Sequence, residues 1–529
     1  MEQQRNSNYW IPIVMASCIA LGLYLGNVLT PNQPVQQSVG QERYQKMQDI
    51  IQVLDKRYVD SIDTEALFEK TIGDMLHELD PHSNYIPASE LKAMNEAMVG
   101  KFGGIGIRFF IIQDTVCVTN VLPNSPSMIA GLQSGDKILK VDGKKVAKMK
   151  ISNDEIMGML KGTENTAVKL TLLRGNKKLE KQVVRGSIPV QSVLASYMIA
   201  KKIGFIKIEQ FSLTTADEFR QAAQKLKNQG MEKLIIDVRN NGGGVLTAAT
   251  EIVDEFLPAN TPIVETKGVN SPPYTYRASS KGSLEDVELV ILINSNSASA
   301  SEILAGAIQD NDRGTIIGRR SFGKGLVQED VMLRDGSNLR LTIARYYTPT
   351  GRCIQKPYTE SYDEYMHDQM ERYDNGELYK IDSTQLSDSL KFKTPKGKVV
   401  YGGGGIMPDI FVPMDTLGAS WYYTELRYSS VFTTFAFSFV QGKRNNWSSP
   451  KAYNAQFNVT DELLNQFTRF AEKEYKIKPD EKDFKRSKRL ISTTLKAEIA
   501  RQIWVEQGYY QLFNVHDVEV QRAIKFLMK

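Results

Sequence analysis

The first long apolar run, residues 9–29, reads YWIPIVMASCIALGLYLGNVL and contains no charge. About 20 such residues cross a bilayer as a helix, and Tyr9 and Trp10 suit its interface. The pattern predicts an uncleaved membrane anchor over 9–29 behind a short cytoplasmic tail, 1–8. Arg5 precedes the run, and the next ionisable residue after it is Glu42. That bias places the amino end inside and the rest of the chain outside. A Pro/Gln/Ser-rich linker fills 30–40. Residues 41–100 then carry apolar positions at helical spacing, as in YQKMQDIIQVLDKRYVD and EALFEKTIGDMLHEL, so a helical region is predicted there. Asp80-Pro81-His82-Ser83 breaks its second helix.

From 101 to 186 the pattern changes to short β-branched runs at 105–112, 116–121, 137–141 and 168–173, with one helical stretch over 153–160. This predicts a small, mostly β module. Over 187–414, apolar strands alternate with helical stretches. Strands are expected at 203–208, 234–238, 287–293 and 315–318, and helices at 215–228, 245–256 and 301–310. The runs 326–333 and 337–347 read as a hairpin across Asp335-Gly336. The whole predicts an α/β domain whose parallel or mixed sheet is covered by helices. A polar, tyrosine-rich stretch, 359–388, looks inserted. Residues 415–529 are helical by periodicity.

Composition narrows the chemistry. The 529 residues include 66 basic and 61 acidic side chains, a net charge of +5, which gives no reason to expect nucleic acid as a partner. The three cysteines, Cys18, Cys117 and Cys353, are far apart and imply neither a disulfide framework nor a metal site. None of the four histidines, His77, His82, His367 and His516, lies near the glycine-rich and serine-rich segments in sequence. No cofactor or metal is expected.

Two segments carry chemistry. Asn294 to Glu302 (NSNSASASE) sits between a buried strand and a helix. A hydroxyl there would lie by a helix N-terminus, where free N–H groups favour developing negative charge. Serine at such a position is also common simply as a cap. Gly318 to Gly325 (GRRSFGKG) places Lys324 between glycines. Without histidine, a nucleophilic serine needs another base, and a lysine serves if burial lowers its pKa. Gln328 is placed to hold the amine. The segment lacks the spacing of a phosphate-binding loop. In the β module, Gly103-Gly104-Ile105-Gly106-Ile107 could turn its amides on a carboxylate.

The β module, with NSPS, AGL, GDKIL and the turn Asp142-Gly143, resembles a PDZ domain. Such a domain would bind a peptide's terminal carboxylate through Gly104, Ile105, Gly106 and Ile107. The segment SASASEILAGAIQDNDRGTIIGRRSFGKGLVQ, with RNNGGG and DPHSNYI, resembles the carboxy-terminal processing (tail-specific) serine proteases, Ser/Lys enzymes with a crotonase-like α/β core. The resemblance covers residues 43–413. It implies Ser299 as nucleophile, Lys324 as general base, Gln328 as the residue orienting it, and the N–H groups of Gly243 and Ala300 as oxyanion donors. Ser297 and Ser301 flank the nucleophile and would be supporting, and Asp310 would be structural. The insertion 359–388 and the region 415–529 depart from the minimal core. The latter is a candidate for homo-oligomer or adaptor contacts. The expected function is a serine endopeptidase, anchored in the inner membrane with its catalytic domains in the periplasm or exterior, that cuts envelope or secreted proteins recognised at their carboxyl ends. The alternatives are a non-catalytic peptide-binding scaffold, an acyl-CoA enzyme of the same fold and a histidine-based hydrolase.

Overall fold

The computed structural model describes residues 39–358, 362–380 and 388–529. The expected anchor, 9–29, lies outside them. Among the described residues no helix is long and apolar enough to cross a membrane. The chain divides into two compact units, Met1–Met75 and Leu76–Lys529. The first holds the helix Val39–Arg57 and most of the helix Thr64–His77. The second contains everything discussed below. Residues 41–100 are not helical throughout, because Asn84–Ile86 is a short strand paired with a strand of the α/β domain.

The β module closes on a stem in which Lys101–Gly104 pairs with Gly186–Pro189. Between them, Ile107–Ile112, Thr115–Val121, Lys137–Val141, Ala167–Arg174 and Lys177–Val184 form an antiparallel sheet, with Ile107–Ile112 at one edge. Val116, Val118, Ile138, Leu170 and Leu172 pack against Ile156 and Leu160 of the helix Asn153–Leu160. That helix starts on a capping box, Ser152 with Glu155, which satisfies amides the helix cannot pair itself. The apolar pattern gives no sign of the strand Lys177–Val184. It reads KKLEKQVV, and only Val183 on it is buried.

The α/β domain is built, in chain order, from β1 (Val193–Ala200), β2 (Ile203–Ile208), α1 (Thr215–Asn228), β3 (Lys233–Asp237), α2 (Leu246–Asp254), β4 (Glu288–Ile293), α3 (Ala300–Asp310), β5 (Thr315–Gly318), β6 (Leu326–Met332), β7 (Asn338–Tyr347) and β8 (Ile410–Phe411). The main sheet runs β1-β2-β3-β4-β5-β8, with β1 antiparallel to β2 and the other pairs parallel. A strand sends alternate side chains to opposite faces. Leu234, Ile236, Leu289, Ile291 and Ile293 accordingly join α1, α2 and α3 in one core, while Ile235, Val290 and Leu292 face a second core. Burial on both faces explains why these strands read as continuous apolar runs. The hairpin β6–β7 belongs to a second sheet with Pro262–Lys267 and Tyr274–Arg277.

The carboxy-terminal region is helical, as expected, and largely forms a core of its own. It ends on α4 (Glu481–Phe513), which kinks at Trp504 and Val505, and α5 (Val518–Leu527). Val520, Ala523 and Leu527 of α5 fill the second face of the main sheet, against Phe205, Ile235, Val290 and Ile317. Asp517 and Glu519, at the start of α5, pair with Arg239, which opens the glycine turn after β3. Glu519 also holds Arg319. The apolar stripe of this last helix is therefore taken up by the chain's own sheet rather than left for a partner. Asp310 pairs with Arg352 at 2.7 Å, both fully buried, in keeping with the structural role expected of it.

Candidate active site

The serine turn joins β4 to α3. Ser297 Oγ donates to the Val238 carbonyl (2.8 Å) and Ser301 Oγ to the Asn241 carbonyl (2.9 Å). These two hydroxyls lash the turn to the end of β3. Ser299, between them, has φ 53° and ψ −114°. An ordinary capping serine is extended, whereas a non-glycine residue at positive φ is strained and persists only where its surroundings hold it. The holders are visible. The Ser299 amide donates to Glu302 Oε2 (2.8 Å), and its carbonyl accepts from the Tyr346 hydroxyl (3.2 Å). Gly243 presses against the same turn. A Cβ on it would lie 2.8 Å from Ser299 Cβ and 2.9 Å from the Ala300 nitrogen, and its φ is +100°, so only glycine fits.

Glu302 is the residue that sequence reasoning missed. It looks like an acidic residue in the first turn of a helix, yet it is fully buried. Oε1 accepts from Ser321 Oγ (2.5 Å) and the Gly323 amide (2.7 Å). Oε2 accepts from the amides of Ser299 (2.8 Å) and Lys324 (2.9 Å). One carboxylate thus fixes the serine turn and the lysine loop to each other. Burial raises its pKa to about 7, against the four hydrogen bonds that favour the anion. Because the folded value exceeds the unfolded one, this group's contribution is most favourable below the unfolded pKa and declines as pH rises through about 7. Replacing Glu302 with Gln leaves one acceptor oxygen for four donors. We expect a loss of about 2 kcal/mol or more in stability and loss of function at the serine, read by thermal unfolding and by covalent labelling of Ser299.

The lysine loop follows β5. Lys324 Nζ donates to Gln328 Oε1 (2.9 Å), and Gln328 Nε2 donates to the His82 carbonyl. That carbonyl is itself fixed, since Asp80 accepts from the amides of His82 (2.8 Å) and Ser83 (2.9 Å) and from Thr342 Oγ1 (3.0 Å). The Lys324 carbonyl accepts from Tyr346 (2.6 Å). Burial first, then the charge of Arg340, lowers the lysine pKa, while Asp80 and Glu302 oppose the shift. His82, remote from the loop in sequence, stands beside it in the fold. Burial and the Lys324 charge push its imidazole down to about 3, so it is neutral, with Nε2 2.8 Å from the Tyr365 hydroxyl. The break predicted at Asp80-Pro81-His82-Ser83 is therefore part of the site. Its turn chemistry marked the break and the resemblance took in its segment, but neither pointed to His82 standing beside the lysine loop.

Of the two residues expected as oxyanion donors, Gly243 packs against the backbone of Ala300 at the start of α3. The Gly243 amide, however, donates to Asn241 Oδ1 (2.8 Å) in this arrangement. In the β module, Gly104 pairs with Gly186. Ile105 is buried, and its carbonyl accepts from the Ser127 amide (2.9 Å). Gly106 has φ +76°, and a Cβ there would lie 2.4 Å from Ser125 Cβ. Ile107 starts the edge strand. The loop glycines thus serve tight packing beside the edge strand Ile107–Ile112, which among the described residues pairs with Thr115–Val121 alone.

Comparison with known proteins bears on this arrangement. The model of peptidase family S41 matches residues 202–361, and that of the PDZ domain matches 103–184. Residues 422–505 match a family of unknown function. A carboxy-terminal-processing protease of Bartonella bacilliformis is 36% identical over 314 residues, 58% of this chain and 71% of that protein. The chain belongs to the carboxy-terminal-processing proteases of peptidase family S41. A probable CtpA-like serine protease of Staphylococcus aureus is 33% identical over 316 residues, 59% of this chain and 63% of that protein. A solved photosystem II D1 C-terminal processing protease is 26% identical, with a TM-score of 0.36 over 71% of this chain and 88% of that one. The family match covers both the serine turn and the lysine loop, which the fold brings onto Glu302. The insertion begins at its edge, and the carboxy-terminal helices lie beyond it.

Proposed function

We propose that the chain is a serine endopeptidase in which Ser299 attacks the scissile carbonyl and unprotonated Lys324 accepts its proton, with Gln328 aiming the amine. The observation that carries this reading is the shared Glu302 carboxylate, which accepts from the amides of both Ser299 and Lys324. The charge that develops on the substrate oxygen falls to the Ala300 amide, at the positive end of α3, and to the Gly243 amide once Asn241 releases it. Hydrolysis of the acyl-enzyme returns Ser299. These steps call for no cofactor or metal.

The substrates are proteins that present a free carboxyl end to the β module, where Gly104, Ile105, Gly106 and Ile107 meet the carboxylate and the edge strand Ile107–Ile112 pairs with the preceding residues. The uncharged run 9–29 supports anchorage in the cell envelope, with the domains outside the cytoplasm. A fluorophosphonate should label Ser299, located by peptide mass spectrometry. A folded protein left unlabelled, with no cleavage of an unstructured polypeptide, would remove the peptidase reading. Substrate choice gives a second test. A peptide ending in a free carboxylate should be cut roughly ten- to a hundredfold faster than its amide, on the scale of one or two charge-assisted hydrogen bonds. Equal rates would exclude carboxylate capture by the glycine loop.

A further inference from the structure

The insertion, expected as a departure from the minimal core, contains the helix Tyr362–Asp374, and this helix bonds the lysine loop through carbonyls that Glu302 does not touch. Arg372 is 1% exposed. Its guanidinium donates to the carbonyls of Ser321 (2.8 Å) and Phe322 (3.0 Å) and is paired with Asp368 (3.0 Å). Those carbonyls stand three and two residues before Lys324. Burying a guanidinium is costly unless it is paired, and beside the Asp368 ion pair the two hydrogen bonds of Arg372 both end on that loop.

Tyr365 is 5% exposed. Its hydroxyl lies 2.8 Å from His82 Nε2 and accepts from Gln355 Nε2 (3.2 Å). Gln355 Oε1 accepts from the Gly325 amide (2.8 Å), on the far side of Lys324. The Tyr365 carbonyl accepts from Lys356 Nζ (2.9 Å), and the Lys356 amide donates to the Gly323 carbonyl (2.9 Å). Every residue from Ser321 to Gly325 therefore has a backbone group held by Glu302, by Tyr346 or by this cluster.

We propose that Arg372 is a positioning residue for the base Lys324, and that Tyr365 positions the acceptor of Gln328 by fixing His82. The inference rests on the assignment of Lys324 as base. Arg372 acts through the loop and touches neither substrate nor reacting atoms. Its loss frees the Ser321 and Phe322 carbonyls, and the loop can then move away from Ser299 and take up water. A displacement of about 1 Å in a reacting group costs roughly a hundredfold in rate. A better-hydrated amine titrates closer to an ordinary lysine. The groups facing Lys324 from other elements are Arg340, Asp80, Glu302 and His82, and of these Glu302 also feels the charge of Arg372.

The test uses the full chain with Arg372→Met, Arg372→Lys and Tyr365→Phe. Readouts are kcat and KM on a peptide, the pH profile of Ser299 labelling, and thermal unfolding. Arg372→Met should lower kcat roughly ten- to a hundredfold with KM little changed, and should move the acid limb of the profile to higher pH. Arg372→Lys should recover part of the rate, and Tyr365→Phe should shift the limb in the same direction by less. A lower melting temperature with kcat and the acid limb unchanged in the folded fraction would overturn the proposal. Should Arg372→Met fail to fold, Tyr365→Phe decides the matter, and an unchanged limb there overturns the proposal equally. Failure of the underlying Ser/Lys reading looks different, because the unsubstituted enzyme would then resist the label or Lys324→Met would keep the acid limb.

Discussion

Ser299→Ala is expected to abolish peptide cleavage and fluorophosphonate labelling while leaving the fold intact. The interactions that hold this residue at φ 53° run through its backbone, from the amide to Glu302 and from Tyr346 to the carbonyl. Alanine keeps both, and its methyl group occupies the volume of the serine Cβ beside Gly243. Stability should therefore change by less than about 1 kcal/mol, the usual range for a substitution that breaks no buried hydrogen bond. The rate should fall on the order of 10⁶-fold in kcat, the scale for a serine hydrolase without its nucleophile. The neighbouring serines behave in the opposite way. Ser297→Ala and Ser301→Ala remove hydroxyls that bond the Val238 and Asn241 carbonyls. Each should cost about 1 kcal/mol of stability while cleavage persists. Turnover surviving in Ser299→Ala, or lost in Ser297→Ala alone, would mean that the wrong serine of the three has been assigned.

That three serines in a row divide into two braces and one strained centre is not written in their local pattern, which reads SASAS. What the sequence encodes well is burial. The helix 215–228 is bounded correctly by apolar positions three and four apart, and the strand 203–208 by a nearly continuous apolar run that mirrors its burial on both faces. The hairpin across Asp335-Gly336 is legible from its turn residues, and β6 and β7 do pair there. β1 has no such signature. It carries Ala195 on the core but shows neither clean alternation nor a turn signal ahead of it.

Hydrogen-bond partners chosen across the fold leave still less trace. Arg372 meets Ser321 across 51 residues and His82 meets Tyr365 across 283, and nothing in a polar, tyrosine-rich stretch announces that its helix will lie against the site. Glu302 is hidden for a related reason, since a glutamate in the first turn of a helix needs no explanation beyond the helix dipole. The motif supplied the serine and the lysine, and the fold supplied the carboxylate that joins them.

The lysine separates catalysis from stability by sign. Lys324→Met keeps the length and apolar stem of the side chain and removes the amine. Activity should fall roughly 10²- to 10⁴-fold, the usual worth of a general base. Stability at neutral pH should rise, because burial has lowered the lysine pKa below its value in the unfolded chain. A lowered lysine pKa means that the folded state holds the proton less well than the unfolded one. The charged form is thus a net cost to folding below the folded pKa, and the cost fades as pH climbs from that value to the unfolded value near 10.5. Methionine escapes the cost altogether, so its advantage should be largest at neutral pH and shrink in alkali. The same titration governs rate in the unsubstituted enzyme. Only the free amine can accept the serine proton, so kcat/KM should climb with pH along an acid limb whose midpoint lies below 10.5, and Lys324→Met should lose that limb. Melting curves across pH, run beside the rate profile, test both at once. A Lys324→Met variant that is less active yet keeps the acid limb would mean that another group titrates in the rate, and Lys324 could not then be the base.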